Sequence, residues 1–350
     1  MIQRGAMIQR RPTLILILLC VISPWCAARD RLPIIDMHLH ARKGDLAAAD
    51  VPRLCLPVLY MPRWDNALPI ESGQTTHVEP PCKHPLVAVP GATQLMRATL
   101  ALMEKRNIIG MVSGEPDVMA AWKVAAPERV IVGSDLRILR GSADGRLEAR
   151  TPDDFRVLHD RGLLQVIGEV MAQYEGIAPS DARLEPYWAL AESLDVPVGI
   201  HMGPGTAGDP YLGSGGYRAR SSSPLELEEV LVRHPRLRLY IMHAGYPFID
   251  DLRALMYTHP QVYVDVAAIV GGEPRPAFYR FLNELVDAGF GDRVMFGTDQ
   301  GLWPGLIDAS IDVIERAPFL TKAQKRDIFY NNAARFLRLS KETIARHHAM

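Results

Sequence analysis

The chain alternates between short apolar runs and amphipathic segments, and this alternation limits its possible folds more than any other feature. Eight mostly apolar runs are typical of buried β-strands, and helical patterns separate them. The predicted strands are Pro33–His40, Ile108–Ser113, Val130–Leu136, Leu164–Met171, Val196–Met202, Leu237–His243, Val262–Val266 and Arg293–Thr298. The predicted helices are Thr93–Arg106, Asp117–Ala126, Pro152–Arg161, Leu184–Leu194, Pro224–His234, Asp250–Thr258, Arg275–Ala288, 304–316, 322–338 and 341–348.

This pattern predicts an α/β fold with a parallel sheet, because continuous apolar strands are typical of sheets covered on both faces. Eight β/α units in about 300 residues fit one TIM barrel. We therefore predict a single (β/α)8 barrel domain over residues 29–350. An open doubly wound sheet is the alternative, but no Gly-x-Gly-x-x-Gly phosphate turn follows any predicted strand.

A long irregular insertion, residues 41–92, separates the first strand from the first helix. Its eight prolines disfavour helix and central strand alike. Because the insertion directly follows the first strand, we expect it to overhang that strand's end. It also contains Cys55 and Cys82, which we predict to form a disulfide; two free thiols are the alternative.

Residues 1–28 have the pattern of a secretory signal peptide. Three arginines precede the apolar run 14–22, and the small residues Ala27 and Ala28 follow it. The run is short for a transmembrane helix. We predict cleavage after Ala28, export to the periplasm or the medium, and no membrane span afterwards. A retained N-terminal anchor and a lipoprotein are the alternatives.

The charge balance disfavours nucleic acid and charged membrane surfaces as partners. The whole chain carries 39 basic and 40 acidic residues, and three of the basic residues lie in the predicted signal peptide. We therefore expect the protein to act on a small molecule.

Polar side chains stand where predicted strands end, which is where a TIM barrel gathers its reactive groups. The strand-end residues are His38, His40, Glu169, His201, His243 and Asp299. Such residues are costly at the end of an apolar run unless they are paired or bind metal. In the first strand, side-chain alternation would place Asp36, His38 and His40 on one face, opposite Met37 and Leu39.

The remaining histidines lie in helical, loop or terminal contexts. We expect five of them to be at the surface or in exposed loops: His77, His84, His159, His234 and His259. Contact with substrate is the alternative for His77 and His84. His347 and His348, at the C-terminus, have no predicted role.

The strand-end motifs resemble the amidohydrolase superfamily, specifically the group that includes aminocarboxymuconate-semialdehyde decarboxylase and related hydrolases. The similar segments are Asp36–His40, Gly168-Glu169, Gly199-Ile200-His201, Met242-His243-Ala244-Gly245, Gly297-Thr298-Asp299 and Asn331–Leu339. They occur in barrel order, and the resemblance covers residues 33–339.

The resemblance implies a site for a divalent metal, expected to be Zn²⁺, with His38, His40, His201 and Asp299 as ligands. It also implies that Asp299 takes a proton from metal-bound water. The strand-end histidine His243 either polarises the substrate or water, or helps to hold a second ion. Many two-metal members have a carboxylated lysine where this chain has Glu169. Glutamate either bridges two ions or pairs with a neighbouring side chain, so the sequence is compatible with one ion or with two.

Other polar residues near the predicted site have expected structural or substrate-contacting roles. We interpret Asp265 as a structural acid and Asp36 as a core or orienting group. The insertion and the loop 203–223 are expected to form the pocket walls. Within or near them, Arg218 is a candidate to hold a substrate carboxylate, and Trp303 is a candidate pocket residue. Simple exposure or packing is the alternative for both.

The resemblance implies a metal-dependent hydrolase that attacks the carbonyl carbon of an amide, ester or lactone. A non-oxidative decarboxylase acting on a carboxylic acid is the alternative, and a noncatalytic metal-binding protein is the third reading. Members of the group are often dimers, so a homodimer is also expected.

Overall fold

The computed structural model describes residues 31–47, 51–58, 61–69, 82–138, 150–205, 207–211 and 216–350. The predicted signal peptide lies outside the described residues, as does His77. Residues 32–350 form one unit. Among the described residues, no helix combines the length and the apolar content that a membrane span requires.

The strands and helices of the described ranges follow the predicted alternation. The strands are β1 (Ile34–His40), β2 (Arg53–Leu54), β3 (Leu86–Val87), β4 (Ile108–Ser113), β5 (Val130–Leu136), β6 (Val166–Val170), β7 (Val198–His201), β8 (Leu239–Met242), β9 (Tyr263–Asp265) and β10 (Val294–Met295). The helices are α1 (Ala92–Arg106), α2 (Pro116–Ala125), α3 (Pro152–Asp160), α4 (Glu185–Leu194), α5 (Glu228–Arg233), α6 (Ile249–Thr258), α7 (Ile269–Gly272), α8 (Arg275–Asp287), α9 (Gly305–Glu315), α10 (Lys322–Arg326), α11 (Asn332–Phe336) and α12 (Lys341–Ala349).

Eight of these strands form a parallel barrel in the order β1-β4-β5-β6-β7-β8-β9-β10. Backbone hydrogen bonds between β1 and the chain after β10 close it: the amide of His40 donates to Gln300 at 2.9 Å, and the amide of Asp299 donates to His38 at 2.8 Å. The predicted (β/α)8 fold is therefore confirmed, and the open-sheet alternative is wrong.

The lower part of the barrel interior is filled by apolar side chains. One buried cluster draws residues from strands on all sides of the barrel and from the segment that closes its base: Ile35, Met37, Ile109, Met111, Val166, Tyr240, Met242, Met295, Tyr330, Ala333, Ala334 and Phe336. Gly199 leaves room for this filling, since a Cβ there would lie 2.5 Å from the Tyr240 ring. Burial of each large apolar side chain contributes about 1.5–3 kcal/mol. The interior is therefore packed at the base, and polar groups collect at the carboxyl ends of the strands.

The strict alternation expected for β1 is wrong. Pairing with β4 shifts register between Asp36 and Leu39. As a result Met37 packs with Ile35 in the apolar cluster inside the barrel. Leu39 packs instead in the larger apolar core that strand and helix residues form together. A bulge of this kind re-aims side chains near the end of a strand, and here it lies next to His38.

Four local features differ from the predicted elements. The segment Pro224–Leu227 is a 3₁₀ turn before α5, and the predicted helix 322–338 is interrupted at Asp327–Asn331 by a wider turn. Four-residue α7 was not predicted, because a helix of one turn shows no periodicity. The insertion, predicted to be irregular, contains the antiparallel pair β2–β3.

The surface prediction for His234 is also wrong. Its Nε2 lies 2.8 Å from a carboxylate oxygen of Glu185, and its Nδ1 lies 3.3 Å from Glu192. Both acids belong to α4, so packing of α4 against the end of α5 buries the imidazole. His347 is buried too, and its Nδ1 lies 2.9 Å from the Tyr330 hydroxyl.

The insertion is fastened to the rest of the barrel at several points. Cys55 and Cys82 form the predicted disulfide, which closes a loop within the insertion itself. Hydrogen bonds reach the rest of the barrel. The indole of Trp303 donates to the carbonyl of Pro52 at 3.2 Å, and the amide of Val58 donates to Gly272 at 2.7 Å. These contacts hold part of the insertion against the chain that follows the last two barrel strands.

We expect loss of the disulfide to lower stability. Replacing both Cys55 and Cys82 by serine should reduce the free energy of unfolding by about 3 kcal/mol, because the crosslink restricts the unfolded chain. Urea unfolding of the double variant, compared with the wild type without reductant, measures the difference. Coincident unfolding curves would show that the crosslink does not stabilise the fold.

Candidate metal centre

Two histidines of β1 and the acid that follows β10 form the first group of donors. His38 Nε2 and His40 Nε2 lie 3.1 Å apart. Asp299 Oδ1 lies 3.1 Å from His40 Nε2 and 3.6 Å from His38 Nε2. The backbone of Asp299 has a φ of 60°, which is strained for a residue with a side chain and typical of functional positions. The first group therefore offers two imidazole nitrogens and one carboxylate oxygen.

The second group comes from the neighbouring strands β6 to β8. His201 Nδ1 lies 3.0 Å from His243 Nε2. A carboxylate oxygen of Glu169, Oε1, lies in close contact with His201 Nδ1 and 3.3 Å from His243 Nε2. His243 also has a positive φ, of 59°. This group again presents two imidazole nitrogens and one carboxylate oxygen.

Glu169 stands between the two groups. While Oε1 faces His201 and His243, Oε2 lies 3.5 Å from His40 Nε2 and 3.7 Å from His38 Nε2. One carboxylate thus presents one oxygen to each pair of histidines. A carboxylate placed in this way would contact a cation held by either histidine pair.

The donor set fits a divalent metal. Two ligand atoms that each lie about 2.1 Å from one ion are separated by about 3 Å when the angle between them is near 90°. Both histidine pairs have this separation. Imidazole and carboxylate together suit Zn²⁺ and similar ions. Two groups of described residues have ligand atoms that all lie within 4.8 Å of one another: His38, His40 and Asp299, and His38, Glu169 and His243.

The electrostatics keep the acids of the site ionised. Burial raises the pKa of Glu169, but the charge of His201 and hydrogen bonds from histidines outweigh it, so the pKa lies well below its usual value. Burial also raises the pKa of Asp299, but the charge of His38 and other histidine contacts outweigh it, so this pKa is lowered too. Burial and the neighbouring His243 lower the pKa of His201. Burial lowers the pKa of His38, His40 and His243, but the neighbouring carboxylates outweigh it and raise these pKa values. The ionised carboxylate is the form that binds metal.

Asp265, interpreted from the sequence as a structural acid, contacts two histidines of the site. Its Oδ2 lies 3.3 Å from His38 Nδ1, and its Oδ1 accepts from the amide of His243 at 2.9 Å. Because a carboxylate only accepts here, His38 carries its proton on Nδ1 and presents a free Nε2. The Nδ1 of His243 donates to the carbonyl of Ala267 at 3.0 Å, which frees its Nε2 in the same way.

Two further acids support the backbone of the site. Asp36 accepts from the Thr298 hydroxyl at 2.7 Å and from the amide of His38 at 3.1 Å, and burial raises its pKa to about 7 despite these bonds. Asp135 accepts from the amide of Glu169 at 3.0 Å. Both therefore fix the chain next to candidate ligands.

Replacing Asp265 by asparagine is expected to weaken metal binding about 10–100-fold, which is the usual cost of losing the acid behind a ligating histidine. Competition between the protein and a chromophoric chelator for Zn²⁺ measures the affinity. Asp287→Asn, on α8, is the matched control. The hydrogen bond described for the Asp287 carboxylate comes from Asn283, which is not a residue of the metal centre. Equal zinc affinity in Asp265→Asn and the control would exclude this role.

Two residues predicted to bind substrate have other contacts in the structure, and their role in substrate binding stays a prediction. Arg218 is exposed, and its guanidinium donates to the carbonyl of Tyr217 at 2.7 Å. Trp303 fastens the insertion through Pro52, as described above. His84, expected in an exposed loop, is exposed.

Tyr174 is a site residue that the sequence did not indicate. Its hydroxyl lies 3.2 Å from His201 Nε2, and its ring stacks on Tyr217 with centroids 5.6 Å apart. It lies in a 3₁₀ turn, Ala172–Glu175, that follows β6. The sequence signal for Tyr174 is its position soon after Glu169, and that position alone does not indicate a role in the site.

Aromatic side chains from two loops meet at the mouth of the barrel. The rings of Trp64 and Tyr211 lie 5.8 Å apart. Trp64 follows β1 and Tyr211 follows β7, the first and fifth strands of the barrel order. In a closed eight-stranded barrel these strands face each other, so the two loops extend towards one another over part of the mouth.

Comparison with curated proteins relates the chain to part of a longer protein. The chain is 20% identical over 223 residues to Protein fluG of Emericella nidulans. The aligned region covers 55% of this chain and 25% of that protein. The chain thus spans about a quarter of the length of the curated relative it matches.

Solved structures share the fold at low sequence identity. A TIM-barrel protein from Bordetella bronchiseptica superposes with a TM-score of 0.57 at 18% identity, covering 90% of this chain and 100% of that one. A probable 2-pyrone-4,6-dicarboxylic acid hydrolase from Acinetobacter baumannii gives 0.54 at 15%, covering 88% and 100%. A 2,6-dihydroxybenzoate decarboxylase from Rhizobium gives 0.50 at 13%, covering 88% and 99%.

The family itself is shown by a model of whole-domain length. The family model described as amidohydrolase matches residues 35–339, a range that begins in β1 and includes Glu169, His201, His243 and Asp299. The expected resemblance is therefore confirmed, and the chain belongs to the amidohydrolase family.

Proposed function

We propose that this protein is a metal-dependent hydrolase that directs water against the acyl carbon of an amide, ester or lactone in a small molecule. The observation that carries the proposal is the position of Glu169 between two histidine pairs. Together with Asp299, these residues supply ligands for two divalent ions, the arrangement used by many hydrolases to activate water.

The position of each residue in the centre determines which ion it would hold. His38, His40 and Asp299 would hold one ion, His201 and His243 the other, and Glu169 both. Ions such as Zn²⁺ lower the pKa of bound water towards neutrality and polarise a carbonyl oxygen.

Asp299 is the residue best placed to move a proton. Its side chain is 31% exposed, whereas that of His38 is fully buried. Asp299 therefore reaches the open side of the site while it still contacts the first group of donors. Its lowered pKa keeps it ionised and able to accept a proton from water, which it then delivers to the leaving group.

A non-oxidative decarboxylase is the second candidate. The structural neighbours include both a probable hydrolase and a decarboxylase, so they support the two reactions alike. The bridging position of Glu169 favours hydrolysis, since it provides for two ions.

A two-channel assay separates the candidates. Zinc-loaded protein is incubated with panels of lactones, esters, amides and unsaturated or aromatic carboxylic acids. Uptake of ¹⁸O from labelled water into a new carboxylate is expected for the hydrolase, and carbon dioxide release without ¹⁸O uptake in the remaining product is expected for the decarboxylase. Carbon dioxide release alone would overturn the proposal in favour of the second candidate.

We further propose that the protein is exported, with cleavage after Ala28. The disulfide between Cys55 and Cys82 supports this proposal, because disulfides persist in oxidising compartments. N-terminal sequencing of protein recovered from the periplasm or the medium tests it. An intact N-terminus on cytoplasmic protein would contradict it.

A further inference from the structure

Three histidines of the centre have a hydrogen-bond partner on the ring nitrogen that faces away from Glu169. These partners differ in whether they can donate a proton. His38 faces a carboxylate, Asp265, and His243 faces a backbone carbonyl, Ala267. Both partners can only accept a hydrogen bond, so both histidines must carry the proton on that side. His201 instead faces the hydroxyl of Tyr174, which can either donate or accept.

The protonated nitrogen of His201 decides whether it can bind a cation. Its Nδ1 points to Glu169 and lies 3.0 Å from His243 Nε2. A proton on Nδ1 would be donated to Glu169 and would remove the lone pair that a cation needs. A proton on Nε2 leaves Nδ1 free and requires an acceptor on the other side, and the Tyr174 oxygen lies there at 3.2 Å.

Tyr174 is fixed in this position by packing. Its amide donates to the carbonyl of Met171 at 3.1 Å within the turn after β6. Its ring stacks on the buried ring of Tyr217, whose hydroxyl accepts from the amide of Gly205 at 2.6 Å. A Cβ at Gly205 would lie 2.5 Å from Tyr174 Cε1, so the loop closes tightly on the ring. The hydroxyl is therefore held against His201 from both sides.

We infer that Tyr174 is a positioning residue that accepts the Nε2 proton of His201 and so presents His201 Nδ1 to the second cation. This inference rests on the two-ion centre of the proposed function. Tyr174 holds a ligand and touches neither the cation nor, in this account, the substrate. Its effect should therefore fall on the His201 and His243 half of the centre and leave the His38, His40 and Asp299 half unchanged.

The variant Tyr174→Phe tests this inference, because it removes the hydroxyl and keeps the ring that stacks on Tyr217. Co²⁺ titration of metal-free protein, followed by its visible absorption and by calorimetry, resolves the two binding events. We expect the first event to keep its affinity and the second to weaken about 10–100-fold. Tyr279→Phe is the matched control: its hydroxyl donates to Val313 at 2.8 Å, outside the metal centre, and both events should be unchanged.

The outcomes separate the inference from the proposed function. Two unaltered events in Tyr174→Phe would overturn the role of Tyr174 and leave the two-ion centre intact. A wild type that binds fewer than two Co²⁺ ions would instead refute the centre itself. Because a variant can misfold, ¹⁵N NMR of histidine in zinc-loaded wild-type protein gives an independent reading. A proton on His201 Nε2 is expected, and a proton on Nδ1 would overturn the inference.

Discussion

Replacing Asp299 by alanine is expected to lower kcat about 10²–10⁴-fold while the barrel remains folded. The expected loss is that of a general base, and the variant also removes a donor that lies 3.1 Å from His40 Nε2. Steady-state kinetics on the substrate identified by the two-channel assay measures the change. Far-ultraviolet circular dichroism and thermal unfolding show whether the fold is retained.

Asp312→Ala is the matched control for this experiment. Asp312 lies on α9, shortly after Asp299 in the chain, and pairs at the surface with Arg316 at 2.9 Å. Its loss should leave kcat unchanged. Wild-type turnover in Asp299→Ala would contradict the proposed proton transfer.

Replacing Glu169 by glutamine is expected to remove one ion from the centre. Glutamine has one carbonyl oxygen in place of two equivalent carboxylate oxygens, so it cannot face both histidine pairs as an acceptor. The neutral amide also leaves His201 and His243 without the negative charge beside them. We expect affinity for the second ion to fall by more than about 100-fold. That figure is the upper end of the loss when a side chain behind a metal ligand is removed, and Glu169 is itself a candidate ligand.

Glu192→Gln is the matched control, since Glu192 is also a largely buried acid beside a histidine, His234, but lies outside the centre. Inductively coupled plasma mass spectrometry after removal of free metal gives the ratio of ions to chains. The expected ratio is one for Glu169→Gln and two for the control. A ratio of two in Glu169→Gln would show that the carboxylate does not bridge.

The sequence predicted the parts of the site that lie on strand ends, because strand order in a barrel brings those ends together. His38, Glu169, His201, His243 and Asp299 meet at one end of the barrel, with contacts as given above. The predicted barrel strands also agree with the structure, with β4 and β5 beginning and ending at the predicted residues.

The remaining contacts depend on three-dimensional packing that local patterns do not encode. Asp265 meets His38 across 227 positions of sequence, and Tyr174 meets His201 across 27. Which nitrogen of each imidazole faces the centre is set by these partners and not by the spacing of the histidines. The bulge in β1 and the short α7 likewise arise from pairing and packing with distant residues.

The most direct test of the two-ion centre is the metal content of the wild-type protein. Purified protein is saturated with Zn²⁺, freed of unbound metal by gel filtration and measured by inductively coupled plasma mass spectrometry against amino-acid analysis. The account predicts two zinc ions per chain. A ratio of one or less under saturating conditions would contradict the bridging role of Glu169 on which the proposed function rests.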